Sequence, residues 1–163
     1  MFPKKIKLKK FIDKRGSLTE LISRSIKKKF IYSILSTSKK NVIRGMHYDS
    51  DLKEEKLVYI VEGKILDVCI NLIKGKNFKK KFYKNLKQGD AIFIPRGYAH
   101  GYRCYGKKNT LIYFLNKKYN KKKSKGIIWN DKNLKIKWKI SKPIISKRDL
   151  GLPGFNKWQK LNF

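Results

Sequence analysis

An antiparallel all-β sandwich or barrel is the fold class this sequence predicts, and two observations carry the prediction. Short β-branched and aromatic runs, from FIYSILS at 30–36 to LIYFL at 111–115, are separated by glycine-containing turns at roughly ten-residue spacing. No long run with a helical period interrupts them.

In chain order, FIDKRGSLTEL at 11–21 reads as two short extended segments around a turn at Arg15-Gly16. Residues 30–36 form a strand, 36–41 a polar connection, and 42–46 a strand again. The acidic stretch 48–55 is a loop. Residues 56–61 and 64–72 are strands, and Glu62-Gly63 between them is a hairpin signal. Residues 78–86 alternate weakly, 88–90 turn, and 91–94 form a short buried strand stopped by Pro95. Residues 101–105 and 110–115 make a second hairpin around 106–109. The stretch 127–138 is irregular, and 143–163 is mostly loop with one short helix near its end. No repeat and no boundary divides 1–163, so one domain is expected, long enough to bury a core without staples.

The net charge is +32, which would favour phosphate polymers through non-specific attraction. Six of the 43 basic residues are arginines, and the lysines run from end to end instead of marking one face. With no zinc-finger, helix-turn-helix or RNP motif, no specific nucleic-acid partner is expected. No apolar run of roughly 18 residues is present, so no membrane span is expected. The N-terminal MFPKKIKLKKF lacks the apolar core of a secretory signal. Cys69 and Cys104 have no paired spacing and sit among apolar neighbours, which reads as buried thiols in a reducing cytoplasm.

The chain has two histidines. His47 follows Arg44-Gly45-Met46 at the end of a predicted strand, beside a polar loop where a barrel would open. His100 ends GDAIFIPRGYAH, in which a turn feeds a strand and proline and glycine set a bend before the histidine. That stretch resembles the second signature of the cupin barrels, whose histidine points inward.

Together the two segments resemble a narrower family, the dTDP-4-dehydrorhamnose 3,5-epimerases. FIDKRGSLTE resembles the family's F-x-D-x-R-G-x-F-x-E, and IRGMHY its R-G-L-H-[FY]. EEKLVYIVEGKILDV is similar to its Q-x-K-L-V run ending in D-V, and IPRGYAHGY to I-P-x-G-[FY]-A-H-G-F. GIIWNDKNLKIKW resembles G-I-x-W-N-D-P-x-L-x-I-x-W, and ISKRDLGLP resembles L-S-x-[KR]-D-x-x-x-P. The six motifs are collinear from 11 to 153.

The resemblance implies an antiparallel cupin jelly-roll barrel with an N-terminal strand extension and a mostly irregular C-terminal tail. It implies epimerisation at C3 and/or C5 of a nucleotide-linked 4-keto-6-deoxyhexose. The expected conversion is dTDP-4-keto-6-deoxyglucose to dTDP-4-keto-rhamnose, on the way to surface polysaccharide. The C4 carbonyl acidifies its neighbouring carbons, so no cofactor and no metal are needed. By resemblance His47 is the base, a role neutral histidine suits near pH 7, and Asp149 is its partner carboxylate. Lys56 places charge at the enolate oxygen, Tyr113 is the acid on the opposite face, and His100 and Asp67 orient the carbonyl and its partners. Arg44 and Arg15 match the diphosphate-contacting positions, for which arginine's fork is suited, and Glu20 the position facing thymine. A homodimer is implied, with the N-terminal segment reaching into the partner's site.

Several positions depart from the family pattern. Asp49 and Glu54 replace glutamines, and the loop from His47 to Lys56 is one residue shorter. Tyr32 and Ile34 replace Gln and Asn, Leu18 a phenylalanine, and Lys125 a glutamate. The acid–base set is whole while the nucleotide-binding fringe is altered. His47, Asp49, Glu54 and His100 also imitate a metal cupin's ligand order, so a metal-dependent isomerase or oxygenase is the alternative. A non-catalytic sugar-nucleotide-binding cupin is the third reading.

Overall fold

A computed structural model describes residues 1–22 and 30–162. The strands are β1 (Lys4–Ile6), β2 (Lys9–Asp13), β3 (Gly16–Glu20), β4 (Tyr32–Lys39), β5 (Ile43–Asp49), β6 (Lys56–Glu62), β7 (Lys64–Asn71), β8 (Lys81–Lys87), β9 (Ala91–Ile94), β10 (Tyr98–Cys104), β11 (Lys108–Leu115) and β12 (Ser124–Gly126). Two short helices follow, α1 (Lys147–Leu150) and α2 (Phe155–Asn162). One antiparallel sheet has the order β1-β9-β6-β11-β4, the other β12-β5-β10-β7-β8, and β2-β3 form a separate hairpin. This is the expected all-β jelly roll with an N-terminal strand extension.

The period of two along each strand divides the core into layers. Ile65 and Cys69 of β7 point between the sheets, where they meet Val58, Ile60, Ile92 and Leu111 of the facing sheet. Their neighbours Leu66, Val68 and Ile70 point the other way, into a cluster closed by Leu134, Trp138, Phe155 and Trp158. The C-terminal stretch therefore covers the outer face of the second sheet although most of it is irregular. Phe155 and Trp158 stack at 5.0 Å between ring centroids, and Tyr48 meets Trp158 edge-on at 6.1 Å. Each such buried aromatic contributes roughly 2–3 kcal/mol through lost water contact.

Two turns that the sequence marks as hairpins are corners. Glu62-Gly63 joins β6 to β7 and 106–109 joins β10 to β11, but in both cases the two strands belong to different sheets. Gly63 has φ +91°, and a Cβ there would lie 2.5 Å from the Lys108 carbonyl oxygen. The corners pack on each other too closely for a side chain, and strand pairing across them is replaced by the Asn109 side chain. Its Oδ1 accepts from the Lys64 and Gly106 amides at 3.1 Å each.

Other boundaries differ from the expected ones. The strand expected to end at 46 continues to Asp49, because β12 pairs Ser124 with Asp49 and Lys125 with Tyr48. His47 is thus inside a strand. β10 begins at Tyr98, so His100 also lies within a strand, paired with Cys69 of β7. The three-residue strands β1 and β12 and the four-residue helix α1 are additions to the expected elements, each too short to show a period.

Candidate active site

A pocket of about 300 Å³ opens between the two sheets, lined among others by Ser36, Arg44, His47, Glu54, Lys56, His100, Tyr102, Tyr113 and Arg148. His47 and His100 come from β5 and β10 of one sheet, Lys56 and Tyr113 from β6 and β11 of the other. The two histidines therefore face the lysine and the tyrosine across the pocket. Gly45 allows the close approach of β5 and β10: a Cβ there would sit 2.6 Å from the Cα of Gly101.

His47 Nε2 lies 2.8 Å from Asp149 Oδ1, and the Gly45 amide donates to Asp149 Oδ2 at 3.1 Å. Asp149 sits on α1, whose N-cap Ser146 accepts from the Asp149 amide and fixes where the carboxylate points. Burial pushes Asp149 up, but the hydrogen bond and charge of His47, the Gly45 amide and nearby Arg148 outweigh it and hold the carboxyl below its ordinary value. An ionised Asp149 keeps the proton on Nε2, which leaves Nδ1 with a free lone pair, the form a base needs.

His100 makes the parallel arrangement deeper in. Its Nε2 is 2.7 Å from Asp67 Oδ2, with side-chain exposures of 4% and 1%, and Cys69 Sγ donates to Asp67 Oδ1 at 3.4 Å. Lys56 Nζ pairs with Glu54 Oε1 at 2.8 Å. Tyr113 stands edge-on to His100, 6.1 Å between centroids. Burial first, and then its neighbour Tyr102, push the Tyr113 phenol well above its ordinary value. At neutral pH it holds its proton and so has one to donate.

Arg44 lines the pocket, steadied by Ser38 Oγ at 2.9 Å. Arg15 and Glu20 do not line it. They lie on the β2–β3 hairpin, where Arg15 pairs with its own Asp13 at 2.7 Å. Sequence reasoning passes over Arg148, Ser36 and Tyr102, all of which line the pocket. Arg148 could be found as the neighbour of Asp149, whereas only the sheet pairing reveals Ser36.

The alternative metal set is not assembled. His47 is taken by Asp149, Glu54 by Lys56, and Asp49 by Lys117 at 2.5 Å. Among the described residues the one cluster with metal-ligand spacing is Asp67, Cys69 and His100. Burial, followed by the charge of Asp67, holds the Cys69 thiol far up, which opposes the thiolate that a metal would require.

A carboxylate-paired histidine and a protonated phenol face each other across a small pocket with an ammonium group beside them, on a cupin fold, an arrangement suited to proton transfer at carbon. The family model described as dTDP-4-dehydrorhamnose 3,5-epimerase matches residues 4–157. An enzyme of that name from Shigella flexneri is 31% identical over 153 residues, 87% of this chain and 84% of its own. The crystal structure of a dTDP-4-dehydrorhamnose 3,5-epimerase from Bacillus anthracis, with TDP and PPi bound, superposes with a TM-score of 0.88 at 29% identity, covering 94% of both chains. That of a dTDP-6-deoxy-D-glucose-3,5-epimerase from Legionella pneumophila, in complex with dTDP-4-keto-L-rhamnose, gives 0.86 at 26% identity, covering 94% of this chain and 88% of that one. The chain belongs to the dTDP-4-dehydrorhamnose 3,5-epimerase family, and it is an isomerase. Among the described residues no helix is long and apolar enough to cross a membrane.

Proposed function

We propose that this enzyme converts dTDP-4-keto-6-deoxyglucose to dTDP-4-keto-rhamnose by inverting C5 and C3, with no cofactor beyond the substrate's own C4 carbonyl. His47 removes the proton next to the carbonyl, and Asp149 stabilises the resulting imidazolium. Lys56 compensates the charge on the enolate oxygen, an interaction worth on the order of 3 kcal/mol in a water-poor pocket. Tyr113 delivers a proton from the facing sheet, which inverts the carbon. His100, held by Asp67, orients the carbonyl. The observation that carries the reading is the placement of His47 and Tyr113 on opposite sheets of one pocket.

Arg44 and Arg148, both at this pocket, suit the diphosphate. Arg15 and Glu20 act in a homodimer, where the β2–β3 hairpin carries them into the neighbouring subunit's site. The exposed apolar residues Phe11, Ile12 and Leu18 on that hairpin support this arrangement. The protein works in the cytoplasm as a single domain.

Proton NMR of dTDP-4-keto-6-deoxyglucose in deuterated water tests the reading. Deuterium at both C3 and C5, abolished by His47→Ala, is the expected result. Exchange at one carbon would reduce the activity to a single epimerisation, and exchange at neither by the folded protein would overturn the assignment.

A further inference from the structure

Between β11 and β12 the chain runs NKKYNKKKSKG, with six lysines between 117 and 125. A stretch of like charge without an apolar period ordinarily stands off in water. Here it forms part of the pocket wall, which Lys118, Tyr119, Asn120 and Ser124 all line. The segment is therefore held in place against its own repulsion.

The loop after β5 holds it. Four of the chain's eleven acidic residues fall between 49 and 55. Lys117 Nζ donates to Asp49 Oδ2 at 2.5 Å and to Asp51 Oδ2 at 2.7 Å, and Lys123 Nζ lies 3.6 Å from the same Asp51 oxygen. Neutral bonds pin the ends of the segment. Asn116 Oδ1 accepts from the Glu55 amide at 2.9 Å, and the Ser50 amide donates to the Lys123 carbonyl at 2.9 Å. An exposed ion pair contributes little. One ammonium shared by two carboxylates holds more firmly, and the Asp49 side chain is only 8% exposed. Asp49 stands where the resembled family usually has glutamine, whose amide cannot balance an ammonium. Lys117 itself does not line the pocket, although Asp49 does. The far end of the segment also meets a cation of the site, since Arg148 Nη2 donates to Ser124 Oγ at 2.8 Å and to its carbonyl at 3.1 Å.

We propose that Lys117 is a positioning residue for substrate binding: the Asp49–Lys117–Asp51 clasp fixes Lys118, Tyr119 and Asn120 as the rim that receives the nucleotide diphosphate. The inference rests on the reading of this pocket as the nucleotide-sugar site. With the clasp closed the rim is formed in advance, and binding does not have to order it. With the clasp open the rim is in place only part of the time, and apparent affinity falls by that fraction. His47 and Tyr113 sit on strands outside the segment, so the loss falls on KM and not on kcat.

The test measures kcat and KM on dTDP-4-keto-6-deoxyglucose, together with the rate of tryptic cleavage at 118–123. Lys117→Met should raise KM about tenfold with kcat within about twofold. Trypsin should cut at 118–123 about tenfold faster, because local opening exposes the segment. Lys117→Met also leaves Asp49 unpaired in the pocket wall, where its charge alone would disturb folding and repel a diphosphate. The double variant Lys117→Met/Asp49→Gln removes that charge and leaves the clasp open, so its KM and cleavage rate should stay raised. Lys117→Arg, whose fork spans both carboxylates, should return both close to wild type. Wild-type KM in the double variant, a raised KM without faster cleavage, or kcat falling as far as KM rises would overturn the clasp. A wild-type enzyme that leaves dTDP-4-keto-6-deoxyglucose unchanged would instead overturn the function, and the inference with it.

Discussion

His47 and His100 lie directly opposite one another on β5 and β10, yet each is tied to a different carboxylate. His47 belongs to Asp149 at the accessible side, His100 to Asp67 in the interior. The pairing brings the two imidazoles to one pocket, and the burial separates their work. A base must exchange its proton with solvent, which the exposed ring can do. A histidine 4% exposed with an aspartate at its back is suited to stay fixed and point at the carbonyl.

The two histidines should therefore fail differently. His47→Ala removes the proposed base, so solvent deuterium should no longer enter substrate and kcat should fall by about a thousandfold. His100→Asn keeps exchange through His47 but weakens the hold on the carbonyl, so kcat falls by on the order of a hundredfold. NMR exchange rates separate the two. Residual exchange in His47→Ala equal to that in His100→Asn would mean that the roles are misassigned.

Asp149 should also leave a mark on stability. Its carboxyl is held below the ordinary 3.8 despite burial, so the folded state binds a proton there less readily than the unfolded chain does. The stabilisation is fully present above about pH 4 and is lost as pH falls through the lowered folded value. Thermal melts of wild type and Asp149→Asn should differ most at neutral pH and converge as the pH falls through the lowered folded value. A constant gap between the two curves across that range would show that Asp149 contributes nothing by ionisation.

Lys56 and Glu54 make a third case. Glu54 is 14% exposed in its side chain, so Lys56→Met leaves a largely desolvated carboxylate without its partner. Such an orphaned charge costs about 3 kcal/mol, and the midpoint of thermal unfolding should drop by roughly 6–12 °C. Adding Glu54→Gln removes the stranded charge and should restore most of the loss. Neither variant should regain activity, because the cation proposed to sit at the enolate oxygen is gone, a deficit of about a hundredfold. If the double variant melts as low as the single one, the pair is not an isolated ion pair and the argument fails.

How much of the site and fold can be read from the chain alone follows from how local each signal is. His47, Lys56, His100 and Asp67 lie within stretches whose pattern is self-contained, so the linear sequence is enough to single them out. Tyr113 and Asp149 cannot be reached from their own surroundings. One is a residue in an apolar strand, the other lies in a late polar turn, and only the family resemblance connects them to His47. The relation of Asp149 to His47 spans 102 positions, a distance over which pattern carries no information. The strand order of the two sheets is hidden for the same reason. A glycine-containing turn looks alike whether the next strand returns beside the last one or crosses to the facing sheet.

Asn109 is the residue that tells those two cases apart, and it makes the fourth prediction. It is fully buried, and its amide does the work of missing strand pairing. Oδ1 accepts from Lys64 and Gly106, while Nδ2 donates to the carbonyls of Gly106 at 2.8 Å and Ser38 at 3.3 Å. Asn109→Ala strands two amides and two carbonyls at the adjoining corners, at a cost of about 2–3 kcal/mol. The melting midpoint should fall by roughly 5–10 °C. Asn109→Asp keeps the acceptor but loses both donors and adds a buried charge, so it should be at least as unstable. Both variants, assayed at low temperature where they remain folded, should keep kcat within about twofold, since no pocket residue touches Asn109 through these bonds. A melt unchanged in Asn109→Ala would show that the corners are held by the strands on either side and not by this side chain.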